Sequence, residues 1–229
     1  MVRGSMASVG PPVTQQIGRS AEELLAEQLY HPDLEKAADC LVRDRTGRSY
    51  MFGDLYRDKK AIIVFVRNFL CYTCKEYVED LAKIPKSFLE NADVRLIVIG
   101  QASYHHIQNF CSLTGYPHEI YVDAEREIYC KLGLKTGETS IISARSPHVK
   151  SNLISGSIKS MWRAMTSPAF DFQGDPVQQG GALIAGPGNR VHFLHRDINR
   201  LDHVSVNTLL QYAGVQTIYF GDKPPIMEV

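Results

Sequence analysis

Cys71 and Cys74 are the residues whose type and spacing point most directly to chemistry. They lie in Arg67-Asn68-Phe69-Leu70-Cys71-Tyr72-Thr73-Cys74-Lys75, a CxxC. Two thiols separated by two residues can close a disulfide with little movement; one attacks and the other resolves the mixed disulfide. The attacking species is a thiolate, so its surroundings must lower a thiol's pKa. Arg67, Thr73 and Lys75 are the candidate supports, the two cations through their charge. Position supplies a second influence. Ala61 to Val66 reads as a buried strand, and a helical stripe through Tyr77 or Val78, Leu81, Ile84 and Phe88 follows. The CxxC then opens a helix, where unpaired N–H groups and the helix dipole favour negative charge. Cys71, at or before the first turn, is expected to be exposed and to attack. Cys74, on the apolar stripe, is expected to be more buried and to resolve.

The flanking elements must hold that strand and helix in place. Cys40 to Arg43 and Ser49 to Phe52 read as a hairpin around the turn Asp44-Arg45-Thr46-Gly47. Val94 to Ile99 and Ile120 to Val122 read as strands. Helices are expected from Ser103 through Leu113, closed by Gly115, and from Ala124 to Leu132, closed by Gly133. Gly181 to Ala185 and Val191 to His195 form a second hairpin, and Ser205 to Tyr212 a last helix. Alternating strands and helices require crossovers and a partly parallel sheet. The expectation is an α/β fold: a central mixed sheet flanked by helices, with an N-terminal hairpin. Between 135 and 180 the rhythm breaks, and Leu153, Ile154, Ile158, Met161, Trp162 and Met165 recur at helical spacing as an inserted covering helix. Residues 1–17 read as a disordered tail, with 1–5 a candidate leader before Met6. A capping box, Ser20 and Glu23, opens a short helix. Residues 18–214 read as a single domain and 215–229 as a C-terminal tail.

The charge balance, 25 Lys plus Arg against 25 Asp plus Glu, provides no basic surplus for nucleic acid. No apolar run reaches the roughly 18 residues that would span a bilayer. Five cysteines do not suit a disulfide-stapled secreted scaffold, so a reducing, cytoplasmic setting is expected. Cys40, Cys111 and Cys130 belong to no second CxxC, which argues against zinc; all three are expected to be small core residues. His105-His106 and His192-x-x-His195 are poor metal ligands; on a strand, positions three apart face opposite ways. No metal site and no bound cofactor are expected. Gly186-Pro187-Gly188-Asn189 is a turn and not a phosphate loop, since neither a helix nor Lys-Ser/Thr follows.

The stretch Arg67 to Tyr77 resembles the redox segment of the peroxiredoxin-like 2 family of AhpC/TSA antioxidant proteins. Gly174-Asp175-Pro176-Val177-Gln178-Gln179-Gly180-Gly181, Gly186-Pro187-Gly188 and His195-Arg196-Asp197 resemble its C-terminal signature. The resemblance covers roughly Cys40 to Ala213. It implies a thioredoxin-like fold, a cytosolic setting and thiol redox chemistry. Some relatives are NADPH-linked reductases of prostaglandin endoperoxides. It also implies a thioredoxin- or glutathione-type reductant, or a separate NADPH-linked reductase, with a small peroxide or lipid endoperoxide as acceptor. In the peroxiredoxin pattern a Thr stands three residues before the peroxidatic Cys. Cys71 would then hold the Thr place and Cys74 the peroxidatic one, the reverse of the assignment by position. Three departures stand out: there is no Pro-x-x-x-Thr-x-x-Cys, no Arg near Gly180-Gly181-Ala182, and no Pro there for a cis peptide beside the CxxC. Arg67 or Arg163 is left to replace the missing Arg. These departures keep a second reading open, a non-catalytic regulatory or interaction protein on the same scaffold.

Overall fold

The computed structural model describes residues 34–137, 146–148 and 174–220. The tail over 1–17, the capping-box helix, the inserted helix around Trp162, and Arg163 lie outside the described residues. The described chain begins with a short helix, α1 (Leu34–Ala38), and the hairpin β1 (Leu41–Arg43) and β2 (Ser49–Met51). Then follow β3 (Lys60–Phe65), α2 (Tyr72–Leu81), α3 (Lys86–Asn91) and β4 (Val94–Gly100). Next are α4 (Ile107–Thr114), β5 (Glu119–Val122) and α5 (Glu127–Lys131). The hairpin β6 (Gly181–Ala185) and β7 (Val191–Arg196) precedes α6 (Val206–Ala213). Seven strands form one mixed sheet in the order β2-β1-β5-β4-β3-β6-β7. This is the thioredoxin-like arrangement.

The strand before the CxxC is an interior strand of that sheet, between β4 and β6. β3 runs parallel to β4 and antiparallel to β6. A strand covered on both faces needs a continuous apolar run, and Ala61 to Val66 provides one. Its side chains alternate between two cores. Ile62, Val64 and Val66 pack with Tyr77, Val78, Leu81, Phe110 and Leu209 on one face. Ala61, Ile63 and Phe65 pack with Leu34, Phe52, Ile128 and Tyr129 on the other. The Tyr129 hydroxyl shares its one proton between the carbonyls of Val66 at 2.7 Å and Ile99 at 2.9 Å. It thereby pins together the carboxyl ends of β3 and β4, the edge at which open α/β sheets place their chemistry.

Two expectations change here. The apolar stripe from Tyr77 to Phe88 is two helices, not one. Pro85 caps α3 with extended backbone (φ −64°, ψ 138°), because it lacks an N–H and pushes the preceding residue out of the helical region. Cys111 is half-buried and Cys130 exposed, so neither is the core residue expected; Cys40 is buried. Beyond α6, Val215 is buried, and Asn207 exchanges hydrogen bonds with both backbone groups of Ile218 at 2.8 and 2.9 Å.

Gly180 sets the approach of β6 to the end of β3. A Cβ there would lie 2.2 Å from the Phe65 carbonyl oxygen and 3.1 Å from Asp197 Oδ2. Backbone cannot swing aside as a flexible side chain can. Gly180→Ala should therefore cost about 1–3 kcal/mol of stability, read as a lower denaturant midpoint at unchanged slope.

Candidate active site

The chain leaves β3 at Val66 and turns sharply before α2. The Asn68 carbonyl accepts from the Cys71 N–H at 3.2 Å, and Asn68 Oδ1 from the Leu70 N–H at 3.1 Å. Phe69 fills the space beside Gly100 and stacks on Phe110, with ring centroids 4.3 Å apart. Cys71 is thereby held as the N-cap of α2, with extended backbone (φ −63°, ψ 116°). Its sulfur accepts from the Cys74 N–H at 3.4 Å, as a capping oxygen would.

Four groups converge on that sulfur. The Cys74 Sγ–H donates to Cys71 Sγ at 2.7 Å, and the Thr73 hydroxyl lies 3.2 Å away. Arg67 reaches it through a guanidinium N–H at 3.8 Å. The Cys74 backbone N–H is the fourth. The Cys74 thiol, Arg67, Thr73 and that N–H together outweigh burial and hold the Cys71 pKa well below the usual thiol value. Cys74 behaves oppositely: burial first, then the negative charge of Cys71, push its thiol well up. The two thiols are thus driven in opposite directions, Cys71 toward the thiolate and Cys74 toward the protonated thiol.

The structure differs from the expectation in one respect. Cys71 is buried, at 7% exposure, and not open to solvent; Cys74 is at 0%. The capping geometry turns the Cys71 sulfur inward over its own helix. Of the three predicted supports, Arg67 and Thr73 meet the sulfur. Lys75 contributes only its backbone N–H, which donates to the Cys71 carbonyl at 3.1 Å. Among the described residues, the polar side-chain partners of Cys71 are Arg67, Thr73 and Cys74.

Arg67 is itself clamped by the segment that carries the C-terminal signature. Its Nε donates to the Gln178 carbonyl at 3.2 Å and its Nη2 to the Pro176 carbonyl at 2.6 Å. Gln101 ties this segment down. Its amide nitrogen donates to the carbonyls of Arg67 and Asp175, and its amide oxygen accepts from the Asp175 N–H at 3.0 Å. Asp175 also pairs with Arg126. Gly174, at φ +111°, permits the close approach to the Gln101 backbone. In the sequence Gly174 to Gly181 stands out only as a family signature, and Gln101 not at all. Its signal was weak: a polar residue just past the end of an apolar strand, at the edge where sites gather.

On the other side of Cys74, Tyr77 is held in a layer of rings. It stacks on His203 with centroids 4.8 Å apart at 21°, and meets His148 edge-on at 5.6 Å. Its hydroxyl donates to the Val204 carbonyl at 2.6 Å. His148 Nδ1–H donates to Asp80 at 2.8 Å, and its Nε2 accepts the Val206 N–H at 2.9 Å. Nothing among the described residues gathers three His, Cys, Asp or Glu groups around a metal position. A basic groove lined by Arg45, Lys59, Lys86 and Arg95 includes none of the CxxC residues, and its Lys59 and Arg95 pair with Asp93 and Glu119. No described helix is long and apolar enough to cross a membrane.

Comparison with known proteins places this geometry in a family. Residues 80–199 match the model of the AhpC/TSA antioxidant enzyme family, beginning just past the CxxC. Peroxiredoxin-like 2C of Bos taurus is 58% identical over 221 residues, covering 95% of this chain and 97% of that protein. Prostamide/prostaglandin F synthase of Aquarana catesbeiana is 28% identical over 197 residues, covering 84% of this chain and 94% of that protein. Peroxidoxin BcpB of Mycobacterium tuberculosis shares the fold with a TM-score of 0.52 at 10% identity, covering 78% of this chain and 94% of that one.

Proposed function

The chain belongs to the AhpC/TSA antioxidant enzyme family, and on that premise we propose that it is a thiol-dependent reductase of peroxides, with Cys71 attacking and Cys74 resolving. The observation that carries this reading is the asymmetry of the pair: one sulfur with four stabilising partners, the other buried and protonated 2.7 Å away. In the first step the Cys71 thiolate attacks the distal peroxide oxygen. An S–O bond forms, the O–O bond breaks, and the alkoxide takes a proton to leave as an alcohol. Sulfur is oxidised to sulfenic acid as the peroxide is reduced. The Cys74 thiol then displaces water to close the disulfide. Two external thiols restore the dithiol and leave as their own disulfide.

The same attack suits an endoperoxide, whose O–O bond breaks to leave a tethered alkoxide. The Aquarana relative is named a prostamide/prostaglandin F synthase, and a lipid acceptor suits the same mechanism. The electron donor on this reading is a thioredoxin- or glutathione-type thiol, or a separate NADPH-linked reductase, in a cytoplasmic setting. Burial of both sulfurs favours one rival, a redox-silent scaffold that binds a regulatory partner.

The reduced protein should be mixed with hydrogen peroxide or cumene hydroperoxide, and its thiols trapped and weighed. Loss of two hydrogens at the Cys71–Cys74 pair, reversed by glutathione with a potential between about −200 and −270 mV, is the expected result. A pair that stays dithiol at every poise and every peroxide concentration would sink the proposal and favour the scaffold.

A further inference from the structure

His203 carries a buried polar atom that has no hydrogen-bond partner among the described residues, and it lies near enough to the CxxC for the charge of Cys71 to act on it. The ring is buried, 3% exposed, and its Nδ1–H donates to Asp197 Oδ2 at 2.8 Å. Its Nε2 has no hydrogen-bond partner among the described residues. A buried polar nitrogen left unpaired costs about 1–3 kcal/mol, so such an atom is retained where something else uses it. The ring's placement is over-determined. Tyr77, three residues past Cys74 and so on the same face of α2, stacks on it, and Tyr77's own hydroxyl is anchored on Val204. Asp197 is fixed in turn: its N–H donates to the Gly180 carbonyl at 3.1 Å, and its other carboxylate oxygen lies 3.5 Å from His195 Nε2.

We propose that His203 is the general acid and base of the thiol chemistry and that Asp197 is its positioning residue. This rests on the peroxide reading above. When the Cys71 thiolate attacks a peroxide, His203 Nε2–H gives its proton to the departing alkoxide, so that Cys71–SOH, alcohol and neutral imidazole result. When Cys74 then attacks the sulfenic acid, the neutral ring takes the Cys74 proton and passes it to the departing hydroxide, releasing water. Reduction of the disulfide by two external thiols yields the Cys71 thiolate, the Cys74 thiol and one proton, which recharges His203. Each cycle closes with every proton accounted for.

The electrostatics agree with this role. Burial works against a charged ring, but the Asp197 carboxylate and the negative charge of Cys71 outweigh it, while Arg67 opposes. The His203 pKa therefore lies above the ordinary histidine value, the direction that favours a charged ring in the first step. Asp197, from the loop after β7, and Cys71 and Arg67, from the start of α2 and the turn before it, act on the ring directly; His195 and Asp202 act on Asp197, whose own carboxyl pKa is pushed up by burial.

The test compares leaving groups. tert-Butyl hydroperoxide releases a strongly basic alkoxide that needs a proton; peroxyacetic acid releases acetate, which does not. In single-turnover measurements His203→Gln should slow oxidation of Cys71 by tert-butyl hydroperoxide by about 10²-fold, yet slow peroxyacetic acid by less than about threefold. Alkylation by iodoacetamide, whose iodide leaves without a proton, reports whether the thiolate is intact. Asp197→Asn keeps an acceptor for Nδ1 and should show a smaller loss with the same leaving-group dependence. Equal losses with both oxidants would assign the pair a structural role and overturn the proposal, as would undiminished rates. Wild-type protein inert to both oxidants would overturn the peroxide reading itself and this proposal with it, an outcome separable from the others because it needs no variant.

Discussion

Cys71→Ser is expected to abolish peroxide-dependent turnover, a fall of at least about 10³-fold, while Cys74→Ser stops the cycle one step later. The reason is the split within the pair. Everything that stabilises negative charge is directed at the Cys71 sulfur: the Cys74 thiol, Arg67, the Thr73 hydroxyl and an α2 backbone N–H. Cys74 is protonated and buried. A serine at 71 leaves only a thiol that burial keeps neutral. A serine at 74 leaves the thiolate able to attack once, after which the sulfenic acid has no internal partner. Mass spectrometry after a peroxide pulse separates the two variants. Cys74→Ser should gain one oxygen, trappable as a mixed disulfide; Cys71→Ser should gain nothing at either position. Oxidation of Cys74 in Cys71→Ser at the wild-type rate would reverse the assignment, as the Thr-x-x-Cys pattern of peroxiredoxins would have it.

Arg67→Met is the second large expectation. The guanidinium holds the Cys71 thiolate by charge and the 174–178 segment by its bonds to Pro176 and Gln178. The sign follows from the direction of the shift. With its pKa held down, Cys71 keeps its charge as pH falls below the ordinary thiol range. Without the cation it protonates at higher pH, so the alkylation profile moves up and the rate at pH 7 falls. A charge-assisted hydrogen bond is worth about 1.5–3 kcal/mol, so roughly tenfold or more should be lost. Lys75→Met, whose side chain does not meet the sulfur, should leave the profile in place. Arg67→Lys separates the two roles, because an ammonium supplies charge but not a fork that meets two carbonyls and a sulfur. If Lys75→Met moved the profile and Arg67→Met did not, the source of the thiolate's stabilisation would have to be redrawn.

How far these residues could be read in advance depended on whether their signal was local. The strand at Ala61 to Val66, both hairpins and the CxxC at a helix start each rest on a few adjacent residues, and each stands in the structure as expected. Thr73 and Arg67 were within reach for the same reason, being two and four residues from Cys71. The exposure of Cys71 was misjudged because capping turns its sulfur inward, a matter of one side-chain torsion that spacing does not encode. The helix after the CxxC was extended too far, although Pro85 was visible; the apolar stripe outweighed it. Asp175, Gln178 and Asp197 stand out in the sequence only as parts of a family signature, without a role, and Gln101 and His203 not at all. They come from the ends of β4 and β7 and from loops, and they converge on Arg67 and Tyr77 only once β6 has paired with β3. The absent arginine near Gly180 has a related explanation. Arg67 reaches the thiolate from the turn before α2, held by the Pro176 and Gln178 carbonyls just before Gly180.

The use of the Cys71 sulfur as the cap of α2 has a thermodynamic consequence. A thiolate that accepts the Cys74 N–H stabilises the first turn of the helix as well as itself. Once that sulfur is bonded to Cys74 it carries no negative charge for the amide or for Arg67. Helix stability and redox state are therefore two legs of one cycle. Whatever favours the capped dithiol form makes the disulfide easier to reduce, by about 30 mV for each tenfold change in the equilibrium. On the proposed function, the fold thus tilts the equilibrium toward reloading by an external thiol, and it does so with a helix end.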